Sequence, residues 1–214
     1  MEQEVSLLEI SRGLVEGTTA PDWINAFAAA IGAIAIVIGL IGANRKINET
    51  QRSARALRRS QIAEELIATV HNVADSFNYV RNPFGSIPKE KLNDKHYSYQ
   101  ERHNRLAEFN ELFKELREAQ IRVRAVIGDD EVEAAVESLF RARHSVSVAI
   151  KMLADMVDDD PPFDDEMRGL IRRLRADMYS SSSDEDEIST VIAKAIETVE
   201  DNLSPIARLE MRQK

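Results

Sequence analysis

Cysteine is absent from the chain. That excludes disulfides, thiolate nucleophiles and cysteine-based zinc sites, and it fits a reducing compartment. Between Gly42 and Asn82 there is neither proline nor glycine, so nothing in that stretch interrupts a helix. No segment sustains a two-residue apolar alternation, and Asn-Gly and Asp-Gly hairpin dipeptides are missing, which removes any sheet signal. The phosphate-cradling G-x-x-x-x-G-K-[ST] loop and the G-x-S-x-G elbow are missing too. The four histidines, His71, His96, His103 and His144, fall into neither the H-E-x-x-H zinc pattern nor the E-x-x-H pairs of di-iron bundles. These gaps predict a protein that is not an enzyme and carries no metal or cofactor.

What the chain does have is residues 23 to 43, WINAFAAAIGAIAIVIGLIGA, without a charge. A helix of that length rises about 31 Å, close to the thickness of a bilayer's hydrocarbon core. A buried core helix keeps a polar face over such a length, whereas Phe27, Ile31, Ile34, Ile38 and Ile41 suit lipid. A cleaved signal peptide needs a basic leader, but here Glu2, Glu4, Glu9, Glu16 and Asp22 precede the run against Arg12 alone. The segment therefore reads as a retained transmembrane helix. Its smaller or polar residues, Asn25, Ala28, Gly32, Ala35, Gly39 and Gly42, recur at intervals of 3, 4, 3, 4 and 3. In lipid, helices associate through close approach over small residues and through interhelical amide bonds, so this stripe predicts a seam for self-association.

Charge orients the span. Arg45, Lys46, Arg52, Arg55, Arg58 and Arg59 stand against Glu49 in residues 44 to 61, a net of +5, while the leader carries −4. Lys and Arg near a membrane end resist translocation, so the carboxyl side is expected in the cytoplasm and residues 1 to 22 outside, as an acidic extracytoplasmic tail. The basic collar also suits anionic lipid headgroups, at roughly 1 kcal/mol per charge near the surface. Of the overall −9, this leaves −10 for residues 62 to 214. An acidic domain is poorly suited to nucleic acid, which calls for a positive surface, so no nucleic-acid partner is expected.

Beyond the span the apolar period is helical. A basic juxtamembrane stalk helix over 44–82 carries Leu66, Val70, Val73, Phe77 and Val80, a spacing that suits a coiled-coil stalk or, at least as well, the core-facing side of a bundle helix, and it continues the membrane helix, with at most a slight break near Asn44. Residues 83–97 hold two prolines and a glycine and form a loop. A second helix over Ser98 to Ile127 stops at Gly128, and Asp130 with Glu133 reads as a capping box opening a third that ends before Pro161 and Pro162. A fourth runs through Met167 to Met178. Ser183 with Asp184, Glu185 and Asp186 starts a fifth, which Ser204 and Pro205 close. The predicted fold is all-α: one N-terminal transmembrane helix continuing into a long helix, then a cytoplasmic antiparallel bundle over 98–214 that packs with 62–82.

Lesser features read as structure. The acidic stretch DDDPPFDDE at 158–166 lacks the alternating ligands and central glycine of an EF-hand and is a solvated turn. His71 and Asp75, one helical turn apart, form an exposed polar pair. His96, Tyr97 and Tyr99 sit together before the second helix and pack on the stalk. The amino tail holds a weak amphipathic pattern that Gly13 and Gly17 interrupt.

The sequence thus predicts a single-pass protein of the bacterial inner membrane that self-associates as a homo-oligomer, contacts membrane lipids and presents a cytoplasmic helical domain to a protein partner. By likeness of architecture alone, such a plan resembles membrane-perturbing effectors of bacterial defence against phage. The alternative is a passive membrane-anchored adaptor. An enzyme using an unrecognised bundle site is more remote.

Overall fold

The computed structural model describes residues 22–84, 87–158, 164–180 and 186–209. These form α1 (Asp22–Arg81), α2 (Tyr97–Glu108), α3 (Asn110–Val126), α4 (Asp130–Asp155), α5 (Asp165–Met178) and α6 (Glu187–Ala207), with a 3₁₀ turn at Lys89–Lys91. Among the described residues there is no strand. The chain divides into two compact units, Met1–Ala54 and Arg55–Lys214.

In the first unit the described residues belong to α1, and every described side chain from Ala30 to Ala54 is exposed. No break occurs near Asn44. α1 is the one helix among the described residues that is long and apolar enough to cross a membrane, and none of its apolar window is buried.

The second unit has a continuous apolar core. Leu66, Val70, Val73, Phe77 and Val80 of α1 are each at most 2% exposed. α4 is the central element and packs against α2, α3, α5 and α6. Its Val132, Val136, Leu139, Ala142, Val146, Ile150 and Leu153 are buried, at three- and four-residue spacings that put one wide stripe inside. Each valine, leucine and isoleucine among them contributes roughly 1.5–3 kcal/mol by leaving water. Three rings stitch the core edge to edge. Phe113 meets Phe77 at 5.8 Å and Phe140 at 5.9 Å between centroids.

Helix ends follow local chemistry, with four departures from expectation. The single helix expected over Ser98 to Ile127 is two, divided at Phe109. There the Phe109 ring packs on Tyr79 at 5.9 Å, while Asn110 accepts a hydrogen bond from Arg143, so two tertiary contacts hold the joint. The cap of α4 is Asp129 and not Asp130: its carboxylate accepts from the amides of Glu131 at 3.1 Å and Val132 at 3.0 Å. Glu133, expected to complete the box, pairs with Arg124 instead. α6 is capped by Asp186, the last residue of the start expected at Ser183, Asp184, Glu185 and Asp186, which accepts from Ser189 N at 3.0 Å; Ser183 to Glu185 lie outside the described residues. α6 also runs past Ser204 to Ala207: Pro205 costs its last turn one i→i−4 hydrogen bond, and the helix ends two residues beyond it. The Ser60 hydroxyl donates to the Ala207 carbonyl at 2.6 Å and satisfies one orphan acceptor there. Gly128, with φ of 70°, ends α3 as expected, its N–H donating to Val123 O at 3.0 Å.

Candidate functional site

In the first unit, Gly32, Ala35, Gly39 and Gly42 lie on α1 with their surfaces open. Asn25 and Ala28 lie on the same helix, and their side chains fall outside the described residues. A Cβ built on Gly32, Gly39 or Gly42 meets nothing within 4 Å. Packing among the described residues therefore does not require glycine at these positions, although a helix-interior glycine costs about 0.5–1 kcal/mol against alanine. Around the stripe, Ile31, Ile34, Val37, Ile38, Leu40 and Ile41 are all more than half exposed, from 52% at Ile41 to 65% at Ile38 and Leu40. Such a surface is unstable in water and suited to hydrocarbon.

The collar residues Arg45, Lys46, Arg52, Arg55, Arg58 and Arg59 are likewise all exposed, and none has an ion-pair partner among the described residues. Six unneutralised cations follow a charge-free run on one helix. That combination can bind anionic headgroups or simply fix topology.

The second unit treats arginine in the opposite way. Arg81, 1% exposed, ends α1 and reaches across two other helices. Its guanidinium donates to the carbonyls of Asp177 at 3.0 Å, Ala176 at 2.9 Å and Tyr179 at 2.9 Å, the free acceptors at the end of α5. It also donates to Ser189 Oγ at 2.9 Å and to Asp186 Oδ1 at 2.7 Å, so the α6 cap is ion-paired as well. Arg102, 5% exposed, does the same for α1, donating to Val80 O and Asn82 O at 2.9 Å each while its guanidinium stacks 4.3 Å from the Tyr179 ring centroid. Two helix C-termini are thus closed by arginines from other elements, where cation and dipole favour each other. Sequence reasoning passed over both residues. For Arg81 a signal exists, since it follows Phe77 by four positions on the buried face of α1.

Burial has electrostatic consequences here. The Asp177 carboxyl is pushed above its usual range by desolvation, with Glu187 and Asp186 adding to the rise and Arg81 opposing it. The Tyr99 phenol is raised by burial first and by Tyr179 second. Arg143 is lowered by desolvation as it lies 4.4 Å from the Phe113 ring centroid. Glu137 is held low by hydrogen bonds from Arg117 and Gln120.

The remaining candidates disperse. His71 pairs with Glu200 across the unit at 2.9 Å, not with Asp75, because α6 brings a carboxylate to it. His96 pairs with Asp158 at 2.8 Å, and Lys91 stands 5.9 Å over the Tyr97 ring. Asp159 to Phe163 of the acidic stretch lie outside the described residues, while Asp164 caps α5 by accepting from Met167 N at 2.7 Å. Among the described residues no three His, Asp or Glu side chains group as metal ligands. Between α4 and α6 there is a recess of about 450 Å³ floored by Ala134, Ala135, Ser138 and Ala195 and edged by Arg141 and Lys194.

The chain matches no protein-family model, and comparison with curated proteins and with solved structures returns no match.

Proposed function

We propose that this chain is a single-pass protein of the bacterial inner membrane, amino end outside, that self-associates through Asn25, Ala28, Gly32, Ala35, Gly39 and Gly42 and presents a cytoplasmic antiparallel helical bundle to a protein partner. One observation carries the reading: three helix-interior glycines aligned in a charge-free span that nothing among the described residues covers. Glycine there is accounted for if another helix approaches closely. The unpaired collar supports the orientation, since it stands at the carboxyl end of the span. The antiparallel arrangement is supported by Asn202, near the end of α6, donating to Glu131 at the start of α4. The α4–α6 recess, with its small-residue floor, is the proposed seat of the partner.

The proposed action is perturbation of the bilayer by packed spans, the plan of membrane-damaging effectors in bacterial defence against phage. Expression of the full chain is expected to depolarise cells, and Gly32→Leu with Gly39→Leu to relieve it while the chain still accumulates in membranes. Unchanged membrane potential in both cases would leave the passive adaptor as the better reading. Loss of an activity on changing His71, Asp75 or His103 in a folded chain would instead favour an enzyme.

A further inference from the structure

The seam's own register runs out at the membrane surface, because its next positions in the 3, 4 repeat are Lys46 and Glu49. One residue over, a second stripe does not run out. Ala43, Ile47, Thr50 and Ala54 are spaced 4, 3 and 4, and the repeat reaches Leu57 without meeting a charge. Lys46 and Gln51 border the four, and together they line one surface recess on α1. Ile47 is 55% exposed and Leu57 52% exposed, so the stripe is an uncovered apolar face.

The charges are disposed around this stripe and not across it. At about 100° per residue, Arg45, Arg52, Arg55 and Arg59 fall roughly 120–180° from its centre. In heptad terms Ile47 and Ala54 take one core position, Thr50 and Leu57 the other. Arg45, Arg52 and Arg59 then share the outermost position. Two copies packed in parallel would bring Ile47 against Ile47 and keep the arginines on their outer sides. The only cations beside the seam, Lys46 and Arg58, then face Gln51 and Ser53 of the other copy, so like charges do not oppose.

Lipid is a poor occupant. α1 is unbroken from the span through Ala54, so the stripe leaves the bilayer along the spanning helix and does not lie in its plane. From Ala43 to Leu57 is about 21 Å, several times the depth of one headgroup layer.

We propose that Ala43, Ile47, Thr50, Ala54 and Leu57 form the seam of a parallel coiled coil between two copies of this chain, extending the association of the spans into the cytoplasm. The inference rests on the membrane reading above, because a common anchor is what holds two copies parallel and at high local concentration. It also accounts for a helix that stands exposed all round, since an isolated segment of that length is marginal in water.

The test uses the absence of native cysteine. Single substitutions Ala43→Cys, Ile47→Cys, Thr50→Cys and Ala54→Cys, with Arg45→Cys, Asn48→Cys and Arg52→Cys as the opposite face, are made in the full chain, and native membranes are oxidised with copper phenanthroline. All seven positions are exposed, so none endangers the fold. Covalent dimers are expected several-fold more abundant at 43, 47, 50 and 54 than at 45, 48 and 52. Membrane insertion is read separately, as retention after alkaline washing. A retained chain with no dimers, uniform dimers or dimers at the opposite face overturns the coiled coil and leaves the membrane reading standing. A chain washed off by alkali overturns the membrane reading itself, and this proposal with it.

Discussion

Residues 30–59 and 60–81 belong to one helix and yet have different surroundings. Every side chain of the first stretch is exposed, whereas from Ser60 onward one face is buried, with Leu66, Val73 and Ala63 at 0% exposure. The same residue types take opposite roles in the two. Leucine and isoleucine are core at Leu66 and bare at Ile38 and Leu40. Arginine is a fully bonded closure of helix ends at Arg81 and an unpaired surface charge at Arg52. The comparison teaches that helix propensity and hydrophobicity do not decide a helix's surroundings; the period of the apolar residues does. A 3, 4 repeat with charges between demands one covered face, while an unbroken apolar cylinder demands cover on all sides.

The sharpest way to break this comparison is at arginine. Arg81→Ala breaks the buried ion pair with Asp186 and removes the donors from the end of α5, so it is expected to lower unfolding stability by about 3–5 kcal/mol in urea titration. Arg52→Ala should stay within about 0.5 kcal/mol, since it touches nothing. Equal effects would mean that the two arginines are not in different environments.

Next comes leucine. Leu66→Ala is expected to cost about 2–5 kcal/mol of unfolding stability, from lost transfer energy plus a cavity. Leu40→Ala, at a side chain 65% exposed in the first unit, should leave thermal unfolding of the second unit in place.

A smaller effect concerns orientation. Changing Arg45, Lys46, Arg52 and Arg55 to Gln removes most of the charge bias, so a fraction of molecules should insert with the amino end inside, read by protease protection of the carboxyl-terminal domain. Unaltered protection would leave the collar without a topological role.

The smallest is electrostatic. The folded Asp177 carboxyl titrates above its ordinary value of 3.8, so the folded state binds its proton more tightly than the unfolded state. Ionised Asp177 thus weakens the fold at neutral pH, and this penalty fades as pH falls below the raised value. Asp177→Asn should raise Tm slightly at pH 7, with the two melting temperatures converging below about pH 4. A lower Tm for the variant at pH 7 would reverse the assigned sign.

Much of this was legible in the residues. The apolar positions of α1, Leu66 to Val80, and those of α4, Val132 to Leu153, are buried as their period demands, because burial of aliphatic side chains is what periodicity encodes. Caps slipped by one residue or more where adjacent acids compete, as Asp129 does with Asp130, since only backbone geometry chooses between them. Arg102 and the His71 partner Glu200 were not legible, because polar contacts between elements distant in sequence leave no local pattern, and Arg81 was marked only by its place four positions after Phe77. The open surface of the glycines was visible only in the structure, where a Cβ on any of the three meets nothing within 4 Å.

The central claim is that the exposed glycine seam joins copies of this chain in a membrane. Its most direct test is the mass of the full-length protein in a mild detergent, by sedimentation or light scattering with the detergent contribution subtracted, for the native chain and for Gly32→Leu with Gly39→Leu. The account predicts an oligomer that the paired leucines dissociate or shrink. A native chain that is monomeric across the concentration range, or an oligomer indifferent to both substitutions, would contradict it.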